Sequence, residues 1–158
     1  MADMGMAIER LHPPRRLINF FNPVMVWLIK RIGPLGRSLL VLHYQGRKTG
    51  RRYHVPTGYR QTGDHLSVLT DSSWRHNFDG GRRVEVTYQG RRGPALATLI
   101  EDPDQVASAL EAAVQELGMG RAGRQLGVRI NTGRPPTRDE WREFIVRSRL
   151  GLVRVDLG

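Results

Sequence analysis

The chain has no cysteine, and only two of its 158 residues are lysines, Lys30 and Lys48. The first absence excludes disulfide frameworks, cysteine-ligated zinc, iron–sulfur clusters and thiol nucleophiles, and it fits a reducing compartment. The second leaves arginine to carry nearly all the positive charge. No apolar run reaches the roughly 20 residues a membrane-spanning helix needs. The most apolar stretch, residues 17 to 32, is shorter than that and is interrupted by Asn19, Asn22 and Pro23. No H-E-x-x-H spacing, G-x-S-x-G elbow or Walker A loop occurs, so no metal site is expected and metal hydrolysis, serine hydrolysis and P-loop chemistry start poorly. The N-terminus shows no apolar core followed by a small-residue cleavage site, so a cytoplasmic protein is expected.

What is present is ordinary for a globular domain: 39% hydrophobic and 25% charged residues, with a length that suits a single domain, 1–158. The formal charge of +10 is unevenly spread. Residues 1 to 60 carry eleven basic and two acidic side chains, whereas residues 101 to 158 carry nine of each. A positive field confined to the first third points to anion binding.

Along the chain, Asn22 and Pro23 open a predicted helix that ends near Gly33-Pro34, within an amphipathic segment 1–34. Its basic flanks and its residues Phe20, Phe21, Trp27 and Leu28 leave room for weak contact of residues 15 to 32 with an anionic membrane, at the inner face of the cell membrane. From residue 38 onward, short β-like runs at 38–45, 53–60, 65–70, 83–89 and 94–100 are separated by glycine turns, an antiparallel pattern. Pro56 cannot donate a ladder hydrogen bond, which predicts an edge, bulged or broken strand there. Asp102-Pro103 opens a helix that Gly118 ends, Thr137-x-x-Glu140 is a capping box for a second helix, and residues 151–157 alternate like a final strand. Residues 118 to 136, rich in Gly, Arg and Pro, read as an irregular connection with one strand-like piece at 128–130.

Two segments carry candidate chemistry. Gly46-Arg47-Lys48-Thr49-Gly50-Arg51-Arg52, between the first two strands, sets four cations around two glycines. Glycines let the backbone turn and expose N–H groups, and arginine offers a planar fork for phosphate or carboxylate. A solvated basic hairpin is the plain alternative. Trp74-x-x-Asn77-Phe78 would place an indole and a carboxamide on one face of a helical turn, a surface suited to a planar heterocycle. A core tryptophan beside a capping asparagine is the alternative. Tyr53, Tyr59 and His54 are candidate proton donors, though an ordinary strand tyrosine or surface histidine suits each as well. No catalytic residue is assigned.

Together, the strand LLVLHYQ, the turn GRKTG, Pro56 in the next strand, and W-x-x-N-F ahead of RRVEVTYQ resemble the deazaflavin-dependent nitroreductase family, split β-barrel proteins that bind coenzyme F420. The resemblance covers about residues 39 to 100. It implies an α+β, mainly antiparallel split β-barrel at 38–158, with an N-terminal helix and two helices in the C-terminal half. It also implies that Arg47, Lys48, Thr49 and Gly50, with Arg52 beside them, hold the coenzyme's phosphate and acidic tail, while Pro56, Trp74 and Asn77 lie along the deazaflavin. The activity implied is hydride transfer from reduced F420 to a small molecule: a quinone, nitroaromatic or activated alkene. Tyr53 stands where the family usually has another basic residue, only Asp71-Ser72-Ser73 precedes Trp74, and residues 101–158 lack the family's tyrosine-rich substrate wall. The resemblance therefore carries the cofactor and not the substrate. An FMN-binding barrel is the alternative, and a non-enzymatic nucleic-acid module ranks last because no recognition helix or aromatic RNA-binding signature is present, so no nucleic-acid partner is expected.

Overall fold

The computed structural model describes residues 7–10, 39–126 and 128–158. The helix expected near residues 22–33, and the membrane contact at residues 15–32, lie outside them. Among the described residues no helix is long and apolar enough to cross a membrane. The described residues form two compact units, one of residues 39–99 and 152–158, the other of residues 7–10, 100–126 and 128–151.

The first unit is a seven-stranded sheet built from β2 (Leu39–Gln45), β3 (Arg52–Gly58), β4 (Arg60–Thr62), β5 (His65–Thr70), β6 (Arg82–Tyr88), β7 (Arg91–Ile100) and β9 (Gly151–Leu157). Its order is β3-β2-β6-β7-β9-β5-β4, and the pairs β2/β3, β2/β6, β4/β5 and β6/β7 are antiparallel. A plain meander would place β5 between β4 and β6; instead β5 pairs with β4 on one side, and the closing strand β9 sits between it and β7. The turn residues act as their chemistry requires. Gln89 and Gly90 both adopt positive φ between β6 and β7, the geometry of the tight primed hairpin turn.

The sheet's edges explain its curvature. β3 and β4 are its two opposite edges, yet only Tyr59 separates them in the chain. One residue spans less than about 4 Å, so the sheet must curl until its edges meet, and β3 does touch β5. The result is the expected half-barrel. Its interior holds Leu40, Leu42, Val68, Phe78, Val86 and Val153, all nearly or fully shielded from solvent. Pro56 lies in an edge strand, as a residue without an amide donor requires.

The second unit contains β1 (Ile8–Arg10), α1 (Pro103–Leu117), α2 (Met119–Leu126), β8 (Val128–Ile130) and α3 (Arg138–Ser148). Both predicted helix starts form as read: Asp102 accepts the Asp104 amide, and Thr137 and Glu140 complete a reciprocal capping box. The expectation of an irregular segment at 118–136 is corrected, because residues 119–126 are helical and the C-terminal half has three helices, not two. Glycine there serves close packing and does not break the helix. Gly123 is buried, and a Cβ on it would lie 2.9 Å from the Val128 carbonyl oxygen.

Candidate functional site

The site residues lie in the first unit. β2 and β3 run as a ladder that closes at Gln45 and Arg52, and the chain reverses over residues 46–51. The Gly46 amide donates to the Arg51 carbonyl (2.8 Å) and the Gly46 carbonyl accepts the Gly50 amide (2.9 Å), so Gly46 fastens both sides of the turn. Gly50 has φ of +67°, a conformation glycine adopts without cost. Thr49 Oγ1 accepts the Arg51 amide and lies 3.3 Å from the Tyr53 hydroxyl. The expectation that the turn exposes its amides is corrected for four of its six: those of Gly46, Arg47, Gly50 and Arg51 are used within the protein. What the turn presents is chiefly side chains. Arg47, Lys48, Thr49, Arg51 and Arg52 are exposed, and no carboxylate pairs with the four cations among the described residues.

The second segment folds as a 3₁₀ helix, Ser73–Phe78. Its Asn77 carboxamide oxygen accepts the Arg47 amide (2.9 Å), while its nitrogen donates to the Trp74 carbonyl (2.8 Å). The Arg47 guanidinium donates in turn to the His76 carbonyl (3.2 Å). The two motifs, thirty residues apart in the chain, are thus one construction. Asn77 has two donors and two acceptor lone pairs, so one N–H and one lone pair remain for a ligand.

An aromatic file links these parts. Trp74 meets Phe78 edge-on at 6.0 Å, Phe78 meets Tyr44 edge-on at 5.0 Å, and Tyr44 stacks on Tyr53 at 5.5 Å. Trp74 is half-buried against the core, which leaves part of its ring open. Sequence reading missed Tyr44 and the buried role of Phe78. The available signal was the two-residue period of a strand, which puts Tyr44 on the pleat face of Leu40 and Leu42.

Arg52 and Pro56 go elsewhere. Val55 packs on the core, so the pleat turns its neighbours His54 and Pro56 to the outer face of the sheet, away from Trp74. Arg52 lines a cleft of about 670 Å³ on that face. Pro56 and Trp74 are therefore not brought together on one face of β3. Among the described residues no group of three or more potential metal ligands occurs.

Burial, with the neighbouring Tyr53 adding to it, pushes the Tyr44 hydroxyl up to about 12, while Arg82 opposes the rise. The folded state thus favours the protonated phenol. That contribution is complete below the ordinary tyrosine value of about 10 and is lost as pH rises toward 12. Melting temperature is expected to fall between pH 10 and 12, and Tyr44→Phe is expected to remove this part of the decline. An identical alkaline fall in both proteins would show that Tyr44 does not carry it.

The half-barrel closed by β9, with a basic turn pinned to an aromatic 3₁₀ segment, defines a split-barrel protein. The family model for F420H2-dependent quinone reductases matches residues 29–132. The chain belongs to this family of oxidoreductases. Among solved structures, a proposed 5-nitroimidazole antibiotic resistance protein from Bacteroides thetaiotaomicron is similar at 11% identity and a TM-score of 0.39, over 97% of this chain and 84% of that one. No match was found among curated proteins.

Proposed function

We propose that this protein takes a hydride from reduced coenzyme F420 and delivers it to a small electrophilic acceptor: a quinone, which the family's description favours, or a nitroaromatic or activated alkene. The observation that carries the reading is the hydrogen-bonded union of the turn with the 3₁₀ segment through Arg47 and Asn77. These are the two segments the resemblance assigns to the coenzyme. The residues fit such a group. Four exposed cations without carboxylate partners suit a phosphate and an acidic tail, and a half-buried indole beside a partly free carboxamide suits a ring with polar edges.

When bound, the reduced deazaflavin supplies the hydride. The chain's work is orientation and charge. Arg47, Lys48 and Thr49, with Arg52 next in line, hold the anionic end mainly through side chains, since the amides of Gly46, Arg47, Gly50 and Arg51 are committed within the protein, and Gly50 contributes by letting the turn close. Asn77 and Trp74 orient the ring, and Asn77 also keeps the turn in place. Such positioning is worth several orders of magnitude in rate when it holds reactants in a reactive arrangement.

The test is equilibrium binding of oxidised coenzyme F420, followed by its fluorescence, with FMN and nucleic acid in parallel. Affinity of about 1 μM or tighter is expected, equivalent to about −8.2 kcal/mol, and Lys48→Ala is expected to weaken it roughly tenfold, or about 1.4 kcal/mol. Absent F420 binding beside firm binding of FMN or nucleic acid would overturn the reading. No described feature favours FMN.

A further inference from the structure

The strands β2, β3, β6 and β7 have two faces of opposite character. Leu40, Leu42, Val84, Val86, Ala95 and Ala97 turn into the core. On the other face the register sets His54, His43, Glu85 and Pro94 in one cross-strand row, beside a row of Pro56, Val41, Thr87 and Arg92. The cleft of about 670 Å³ opens here.

Its charge is one-sided. Arg52, Arg82, Arg83 and Arg92 line it, against a single carboxylate, Glu85. Glu85 is already engaged, since Arg92 donates to it from Nε at 2.6 Å. Arg82 is held by a donation to the Gln45 carbonyl (2.6 Å), which fixes one arm of its fork and leaves the others open. Arg52 and Arg83 have no carboxylate partner among the described residues. Beneath them, the His43 and His54 Nδ1 atoms are 2.7 Å apart and His43 Nε2 is 2.8 Å from Thr87 Oγ1. Only one proton fits between the two rings, so the pair carries at most one positive charge.

We propose that this cleft, which shares only Arg52 with the basic turn, is a second anion site for an organic ligand bearing two negative groups, phosphate or carboxylate. Clustered guanidinium groups in a concave site concentrate positive potential, and each offers a planar fork for an oxyanion. The volume lies in the range of small-molecule sites and exceeds what a lone oxyanion needs. The partly exposed ring of Tyr53, at the end of the strand, borders the cleft and offers an uncharged surface for the rest of the ligand. Arg52 adjoins the basic turn, so the same chemistry could come from the acidic tail of a coenzyme seated there or from a free organic anion. The site itself does not rest on the coenzyme reading.

The test titrates the full chain at low salt with inorganic pyrophosphate, comparing wild type, Arg83→Glu and Lys48→Ala. Arg83 is exposed and unpaired, so its reversal leaves folding intact, which a melting curve verifies. Pyrophosphate binding at least tenfold weaker in Arg83→Glu, and within twofold of wild type in Lys48→Ala, is expected. No binding by wild type, or a loss confined to Lys48→Ala, overturns the proposal. A parallel titration with F420 and with its deazaflavin riboside lacking phosphate and tail assigns the source. Weakening of F420 alone by Arg83→Glu supports the tail as occupant, and unchanged F420 beside weakened pyrophosphate supports a free anion. Pyrophosphate binding that depends on Arg83 in a chain that ignores F420 keeps this site and removes the coenzyme reading.

Discussion

Gly46→Ala is expected to raise the dissociation constant for coenzyme F420 by more than tenfold, a loss above about 1.4 kcal/mol, while the melting temperature falls only modestly. A Cβ at this position would lie 2.8 Å from Thr49 Oγ1 and 2.8 Å from the Tyr53 ring, closer than carbon tolerates. Neither neighbour is the loose end of a long side chain. Thr49 is short and also accepts the Arg51 amide, and Tyr53 is stacked on Tyr44. Nor can the backbone retreat, because the Gly46 amide and carbonyl both hold the turn closed. The turn must open, and with it the arrangement of Arg47, Lys48 and Thr49. Gly50 is the control: its positive φ makes alanine cost roughly 1–2 kcal/mol of stability, but a Cβ there meets nothing within 4 Å. Gly50→Asn, which tolerates that φ, is expected to keep most of the affinity. Fluorescence titration of the two variants checks the pair. Wild-type affinity in Gly46→Ala would mean that the coenzyme does not depend on the turn.

The contrast between those glycines also shows how far the sequence could be read. Hairpins, caps and the edge position of Pro56 were legible because each rests on local chemistry: a positive φ, an orphan amide, a missing donor. The joining of GRKTG to W-x-x-N-F was legible only through the family resemblance, since no local rule brings residues thirty positions apart together. Helix α2 was missed because Gly120 and Gly123 read as breakers, whereas Gly123 is there to let the helix approach the Val128 carbonyl. The outer cleft was invisible for a different reason. Its arginines come from β3, β6 and β7, and β2, buried on both faces, lacks the alternation that would have marked His43 as outward-facing.

Phe78→Ala is expected to cost about 3–5 kcal/mol, the usual range for removing a fully buried aromatic ring. Phe78 has no exposed surface, and its ring is the middle of the file, edge-on to both Trp74 and Tyr44. Its loss leaves a void beneath the 3₁₀ segment that the half-barrel strands, tied in their ladders, cannot collapse to fill. For a chain of this length the melting temperature is expected to drop by on the order of 10 °C. The next residue back, Asn77, holds the turn, so coenzyme affinity is expected to fall as well, even at temperatures where the variant remains folded. Asn77→Ala separates the two effects. It removes two hydrogen bonds near the surface, worth roughly 1 kcal/mol each at most in stability, but cuts the link to Arg47 outright. The expected pattern is a large stability loss with weakened binding for Phe78→Ala, and weakened binding with little stability loss for Asn77→Ala. If Phe78→Ala melts early yet binds F420 as tightly as wild type, the aromatic file supports the barrel alone, and the turn is held by the Arg47–Asn77 contacts without it.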